Sequence, residues 1–199
     1  MFKDRINLVK NKLEELDLDA LMVLSSDGHL NEYLPLHNRR LKAISGFTGS
    51  AGTVVIMREG RSHLFVDSRY HLQAEEECRS LFEVHKLGME GVFDAHKWIA
   101  QQDLKPLKIA VAPYTITPKQ WKRYQASWEK AGHTWAVLEE NLVDHVWDNR
   151  PNSVNHTLYP LGEELTGESS SSKLQKIRKK MNQEGADVLV LSMLDEIAW

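Results

Sequence analysis

Residues 20–24 read ALMVL, a run in which every side chain is apolar. Such a run is typical of a β-strand with both faces covered by other elements, because it leaves no position for water. The segment before it predicts an amphipathic helix, with Asp4 placed to accept amide hydrogens of the first turn. The apolar residues of this helix are Ile6, Val9, Leu13 and Leu16. A helix followed by a buried strand indicates a layered α/β domain.

Five further strands are predicted downstream by short apolar runs. TVVIM (53–57) and HLFVD (63–67) flank a four-residue turn that contains Gly60, which predicts a hairpin. The other three strands are expected at 82–87, 108–112 and 134–138. Because the hairpin brings in an antiparallel pair, we expect an α/β fold with a mixed six-stranded sheet flanked by helices.

Helical patterns separate most of these strands. They are expected at 69–78, 92–101, 117–132 and 142–147. The third is the clearest, with Thr117 as cap, Pro118 in the first turn and Gly132 as the stop. Its aromatic stripe, Trp121, Tyr124 and Trp128, could form a stacking platform, but at helical spacing we expect it to pack against the sheet.

A change of composition divides the chain. Residues 1–150 form the predicted domain, and 151–172 are expected to be a linker rich in proline, glycine and serine. A helix capped by Ser172 and Gln175 should follow, ended by Gly185, and then a strand at DVLVLS (187–192). A shift of 168 residues superposes this unit on the helix and strand at the start of the chain, although a generic helix–strand unit could produce the match by chance. We therefore expect 173–199 to be the start of a second, homologous domain that the chain does not complete.

Composition and charge exclude several classes of function. The 199 residues carry 25 basic and 28 acidic side chains, a net charge of −3 that gives no field for holding nucleic acid or a membrane. Cys78 is the single cysteine, so an internal disulfide and a cysteine-based zinc site are ruled out. The charged first twenty residues do not read as a secretory signal. We expect a cytoplasmic protein with no nucleic-acid or membrane partner.

The patterns that usually carry catalysis are incomplete. Gly46, Gly49 and Gly52 have G-x-x-G-x-x-G spacing, which fits neither the dinucleotide fingerprint nor the phosphate loop, and Ser50 is not in a G-x-S-x-G elbow. We expect these glycines to allow positive backbone angles and close packing before the hairpin. The nine histidines lack the four-residue separation of a helical ligand pair, and the glutamates at 75–77 should fan around their helix. We therefore predict no catalytic residue and no metal site.

Two other polar segments have simple structural interpretations. The basic segment KLQKIRKK (173–180) has an apolar stripe and is expected to be an exposed face of a helix rather than a nucleic-acid site. Asp67-Ser68-Arg69-Tyr70 lies where a strand passes into a helix, and capping by Asp67 or Ser68 is favoured there over catalysis.

Four motifs together resemble the aminopeptidase P branch of the creatinase and prolidase family, in its long, three-domain, soluble form. They are DGHLNEYLPLHNRRLKAISGFTGSAGTVVI (27–56), FVDSRYHLQAEEE (65–77), ENLVDHVWDNRP (140–151) and LDEIAW (194–199). The resemblance implies a first domain with a six-stranded mixed sheet, a second domain of the same architecture, and a catalytic third domain. That third domain would hold two divalent metal ions, usually manganese, through ligands that match nothing in residues 1–199.

The resemblance also implies a function. The parent enzyme would be a metal-dependent Xaa-Pro aminopeptidase that removes the first residue of peptides with proline second, through a water bridging the two metals. Residues 1–199 alone would be inactive and would contribute to homodimer formation and to the entrance of the active site. The matching polar motifs supply candidate rim or interface residues: His29, Tyr33, Arg39, Arg40, Asp67, Arg69 and Tyr70.

A stand-alone binding module is the alternative. In that interpretation a groove around Arg39, Arg40 and Arg69 would hold acidic or phosphorylated ligands. The strand predicted at 187–192 disfavours it, because a complete protein usually covers an apolar strand that has no pairing partner. We expect 173–199 to fold back on the main domain or on a neighbouring chain.

Overall fold

The computed structural model describes residues 1–102, 106–112, 114–154 and 156–199. The chain divides into two compact units, Met1–Ser153 and Val154–Trp199. Every helix in the described residues is too short or too polar to span a lipid bilayer.

The first unit is built on a six-stranded mixed sheet, as the sequence predicts. Its strands are β1 (Ala20–Leu24), β2 (Thr53–Met57), β3 (Ser62–Val66), β4 (Phe82–Lys86), β5 (Lys108–Val111) and β6 (Thr134–Val137). Their order across the sheet is β4-β3-β2-β1-β5-β6. Only β2 runs antiparallel to its neighbours, because the tight turn after Met57 reverses the chain into β3. The other neighbouring pairs, β1–β5, β3–β4 and β5–β6, are parallel.

Six helices in the described part of this unit cover the sheet. They are α1 (Phe2–Glu15), α2 (Arg40–Ser45), α3 (His71–Cys78), α4 (Ala95–Ala100), α5 (Pro118–Lys130) and α6 (Leu142–Val146), with short 3₁₀ segments at Leu36–Asn38 and Ser68–Tyr70. Alternate residues of β1 enter two separate cores: Leu21 lies in the core with α1, α2, α3 and α6, and Met22 in the core with α4 and α5. The all-apolar sequence of β1 is therefore explained by burial on both faces.

Several local predictions are confirmed. Thr117 caps α5, and Tyr124 and Trp128 are buried in the core, so the aromatic stripe is packing surface. Gly46 has a φ of +80°, and a Cβ at Gly49 would lie 2.3 Å from the Phe47 ring, so these glycines serve backbone geometry and close packing. Asp67 caps the turn after β3 by accepting from the Arg69 amide. The helix predicted at 92–101 starts only at Ala95, because Asp94 caps it.

The second unit differs from its predicted form in three places. The predicted linker contains the short helix α7 (Glu163–Thr166) and the first residues of α8 (Ser170–Glu184). The cap of α8 is Ser169, which accepts from the Ser172 amide, so the predicted cap at Ser172 was wrong by one helical turn. The strand predicted at 187–192 was also wrong. The segment forms no ladder with any described residue, and a strand exists only when another pairs with it.

The apolar side chains of 187–192 remain open to solvent. Val188 is 77% exposed and Val190 is 81% exposed. The unit ends with α9 (Leu194–Ala198), and its buried residue Lys173 donates to the Trp199 carbonyl oxygen at 2.5 Å and lies over the Trp199 ring.

Candidate functional site

The topology brings all seven candidate residues to one edge of the sheet. Since β1, β3, β4, β5 and β6 point the same way, the segments that follow them meet at their carboxyl ends, where β2 also begins. His29, Tyr33, Arg39 and Arg40 belong to the connection from β1 to β2, and Asp67, Arg69 and Tyr70 directly follow β3. In open α/β sheets this is the edge at which ligands bind.

The segment after β1 is organised around the buried carboxylate of Asp27. One oxygen accepts the backbone amides of His29 and Asn31 at 3.0 and 3.1 Å. The other accepts the side-chain amides of Asn31 and Asn38 at 3.0 and 3.3 Å. Burial alone would raise the pKa of Asp27, but these four hydrogen bonds hold the pKa below its ordinary value. An irregular segment thereby gains a fixed shape, with the His29 side chain exposed on its surface.

Arg40 is committed to a structural ion pair. Its Nε and Nη2 donate to the two carboxylate oxygens of Asp144 at 2.7 and 2.9 Å, which joins α2 to α6. Arg150 Nη1 adds a contact to the same carboxylate at 2.9 Å. Only 13% of the Arg40 side chain is exposed, so its charge is largely neutralised within the fold.

The residues after β3 form a second polar group. Arg69 Nε and Nη2 donate to both oxygens of Asp67 at 2.9 and 2.8 Å. This fork lowers the pKa of Asp67 and raises that of Arg69, in each case through the hydrogen bond between them. The Tyr70 hydroxyl lies 2.7 Å from Ser50 Oγ, and its ring meets Phe47 edge to face. The predicted turn after β3 is thereby connected to the glycine-rich segment before β2.

Several clefts open along this edge, and two of them are lined by candidate residues. The smaller, of about 140 Å³, is lined by Tyr33, Arg39 and Ser50 among others, and Tyr70 extends it through its bond to Ser50. The larger, of about 520 Å³, is lined mainly by polar groups, including Arg40, Asp144, His145 and Arg150. The candidates are therefore divided between two surfaces, with Tyr33, Arg39 and the Asp67–Tyr70 group on the side of the smaller cleft and Arg40 in the larger one.

Neither Ser50 nor Cys78 has the surroundings of a nucleophile. Ser50 Oγ pairs with a phenol, which is a poor base for activating a hydroxyl at neutral pH. Cys78 is buried in the core, and burial raises the pKa of its thiol to about 12, so it is no nucleophile.

The sequence interpretation missed one group of metal-binding side chains. In the described residues, ring nitrogens of His63 and His85 and a carboxylate oxygen of Glu83 lie within 4.8 Å of one another. The sequence signal was the spacing of these residues along the strands. On β3, His63 and Phe65 are two residues apart, and so are Glu83 and His85 on β4. Residues at this spacing share a face of the sheet. This donor set is poor in carboxylates and does not fit the two-metal, five-ligand centre that the family resemblance implies.

Comparison with known proteins agrees with the fold. A family model for the creatinase/prolidase N-terminal domain matches residues 5–144, and a second model of the same description matches residues 149–199. A probable Xaa-Pro aminopeptidase P of Neurospora crassa is 32% identical over 98% of this chain, and aminopeptidase P1 of Lotus japonicus is 34% identical over 92%. The chain spans 29% and 27% of the lengths of these two relatives.

Solved structures extend the comparison. X-prolyl aminopeptidase from Caenorhabditis elegans, described as a cytosolic enzyme with a di-nuclear active site, superposes with a TM-score of 0.87 and 25% identity over 100% of this chain and 34% of its own. The N-terminal domain of the peptidase PepQ from Mycobacterium tuberculosis shares the fold over 72% of this chain, with a TM-score of 0.54 and 18% identity. The chain therefore belongs to the creatinase/prolidase N-terminal domain family and corresponds to the N-terminal part of Xaa-Pro aminopeptidases.

Proposed function

We propose that residues 1–199 are the non-catalytic N-terminal part of a metal-dependent Xaa-Pro aminopeptidase. The observation that carries the proposal is the extent of the similarity to the Neurospora relative. The match covers 98% of this chain but only 29% of the relative. The parent enzyme would remove the first residue of peptides with proline second. In this organisation 1–150 is the first domain, 151–172 a connection that contains α7 and the first residues of α8, and 173–199 the start of a second, homologous domain.

The metal chemistry belongs to the remainder of the parent enzyme. Two divalent ions, with manganese as the proposed metal, would be held by a catalytic domain beyond residue 199. The described residues support this division, because Ser50 of the smaller cleft pairs with a phenol and His63, Glu83 and His85 do not match a two-metal centre. The di-nuclear, cytosolic Caenorhabditis enzyme supports the same metal count and a cytoplasmic location.

The carboxyl edge of the sheet is the proposed working surface of this part. Its rim residues would border the active-site entrance or the contact with a second subunit of a homodimer. They are His29, Tyr33, Arg39, Arg40, Asp67, Arg69 and Tyr70. The supporting observation is that Tyr33, Arg39 and Arg69 are exposed on segments fixed by Asp27 and Asp67, so they present a defined surface to a peptide or a partner.

The alternative, a stand-alone module for acidic or phosphorylated ligands, is disfavoured by charge pairing. Arg40 is bound to Asp144 and Arg69 to Asp67, so two of the three arginines that the module would use already have a carboxylate partner. The charge that an anionic ligand would meet at these two arginines is therefore partly balanced.

A peptidase assay tests the proposal. Purified 1–199, supplied with MnCl₂ and a peptide with proline in second position, is expected to release no N-terminal amino acid. The product of the reading frame extended past Trp199 is expected to release it under the same conditions. Robust release by 1–199 alone, or an extended frame with no activity, would contradict the proposal.

A further inference from the structure

The two outermost strands at one side of the sheet place three ligand-bearing side chains together. In the parallel pairing of β3 with β4, His63 lies opposite Glu83 and Phe65 opposite His85. Since alternate residues of a strand face the same way, all four side chains project from one face of the sheet. The cluster therefore follows from the register of the strands and does not depend on a loop.

The distances within the cluster suit a single ion. His63 Nδ1 and His85 Nε2 are 3.0 Å apart. Oxygens of Glu83 lie 3.7 Å from His63 Nδ1 and 3.9 Å from His85 Nε2. Two ligands of a tetrahedral zinc ion, each about 2.0–2.1 Å from the metal, are about 3.3 Å apart. The two Glu83 distances involve different oxygens, Oε2 to His63 and Oε1 to His85, so the exposed carboxylate would have to turn to bring one oxygen to that spacing from both rings.

Packing holds the two imidazoles in place. The His63 ring lies 4.1 Å from the Trp98 ring of α4, and the His85 ring stacks on Phe65 at 4.3 Å. The two histidine side chains are only 11% and 13% exposed, whereas Glu83 is 55% exposed. Fixed rings with a solvent-facing carboxylate give a site that is preorganised and has an entry path.

The protonation of the rings favours a cation as well. Burial lowers the pKa of His63 to about 4 and also lowers that of His85. A neutral imidazole is the form that binds metals. The hydrogen that lies between the two facing nitrogens would move to the other nitrogen of its own ring, by exchange with water, so that both imidazoles bind the ion as neutral ligands.

We propose that His63, Glu83 and His85 form a mononuclear site for a divalent ion of the zinc class, with a fourth position open to water. Two imidazole nitrogens and one carboxylate oxygen suit zinc better than magnesium or calcium, which prefer oxygen ligands. The proposal does not rest on the proposed peptidase function, because all three ligands belong to this chain.

Calorimetric titration of chelator-treated 1–199 with ZnCl₂ tests the site. The unsubstituted protein is expected to bind one equivalent. Glu83→Gln should weaken the affinity about tenfold, and His85→Gln by about a hundredfold, since each removes one ligand. His156→Ala, which removes an exposed histidine of the second unit, is the matched control and should bind as the unsubstituted protein does.

Two further readouts separate ligation from misfolding. Zinc should raise the melting temperature of the unsubstituted protein and of His156→Ala, because binding stabilises the folded state, and should not raise that of His85→Gln. Co²⁺ should give the visible absorption of a tetrahedral site only where all three ligands are present. Since Glu83 is half exposed, Glu83→Gln should fold and remain informative if a histidine variant does not. Less than one equivalent of zinc, or equal affinity in Glu83→Gln, would overturn the proposal.

Discussion

Asp27 shows how one side chain gives shape to a segment without regular structure. Its two oxygens accept four hydrogen bonds from His29, Asn31 and Asn38, so the chain after β1 folds back around a single buried carboxylate. Each oxygen accepts from two donors, and a neutral amide of the same size offers only one such oxygen. Asp27 is not itself a rim residue, but its carboxylate sets the position of the proposed rim.

Substitution Asp27→Asn is expected to lower the free energy of unfolding by about 1–3 kcal/mol at pH 7. If the new amide nitrogen took the place of the oxygen that faces Asn31 and Asn38, the side-chain amides of both residues would lose an acceptor. Urea unfolding followed by circular dichroism measures the change. Glu76→Gln, at an exposed position of α3, is the control and should stay within about 0.5 kcal/mol.

The effect of Asp27→Asn on the free energy of unfolding has a defined pH dependence. The pKa of Asp27 is lowered in the folded state, so its contribution is fully present above the unfolded pKa of about 3.9 and is lost as pH falls through the folded pKa. The difference in unfolding free energy between the unsubstituted protein and Asp27→Asn should thus be constant near neutrality and shrink below about pH 4. A difference that grows on acidification would show that the carboxylate is not the stabilising group.

At the scale of elements, the short helix α2 depends on contacts far away in sequence. It has six residues, too few for stability on its own, and begins without a side-chain cap. Arg40 at its first position is joined to Asp144 of α6, and Arg5 of α1 donates to the Ala43 carbonyl oxygen at 2.7 Å. Tertiary contacts therefore supply the stability that the local sequence lacks.

Arg40→Gln is expected to destabilise the first unit by about 2 kcal/mol. The glutamine cannot reproduce the two-pronged contact to Asp144, although Arg150 still neutralises part of that charge. The adjacent Arg39→Gln is the matched control, because Arg39 is exposed and makes one bond to a backbone oxygen, and it should change stability by about 0.5 kcal/mol or less. Equal losses in the two variants, measured by urea unfolding, would argue against a structural role specific to Arg40.

The elements that could be predicted from sequence are those determined by their own residues. The all-apolar β1 and the capped helix after Thr117 carry their own signals. The helix α2 was missed because its determinants, Arg5 and Asp144, lie elsewhere in the chain. The strand at 187–192 was predicted from composition, but pairing needs a second strand that no composition reveals.

The same reasoning applies to the candidate site. The motif containing Asp67 could be placed at the end of a strand, and the structure puts it at the carboxyl edge with the other rim candidates. The cluster of His63, Glu83 and His85 could not be predicted from sequence, because it depends on which strands are neighbours and on the register in which they pair. Short-range patterns locate single residues, whereas the sheet order brings distant ones together.

At the scale of the whole molecule, the two units differ in what stabilises them. All residues of the two described hydrophobic cores lie between Ile6 and Trp147, within the first unit. The second unit buries Lys173 against Trp199 but leaves most of its apolar side chains exposed, among them Val188, Val190 and Ile197. Stability should therefore reside almost wholly in Met1–Ser153.

Limited proteolysis with chymotrypsin is expected to cut first between 156 and 162, after Leu158. That side chain is 97% exposed, and residues 156–162 lie outside any helix or strand, so the protease can bind the backbone without prior unfolding. This cleavage site precedes Ser169–Ser172, which the structure places at the start of α8. The large fragment should keep its circular dichroism and its melting temperature, because its core is intact. Leu158→Gly should slow the first cut. A first cut between residues 20 and 147 would contradict the predicted cleavage site, and loss of the folded signal on cleavage would mean that the first unit needs the second to stay folded.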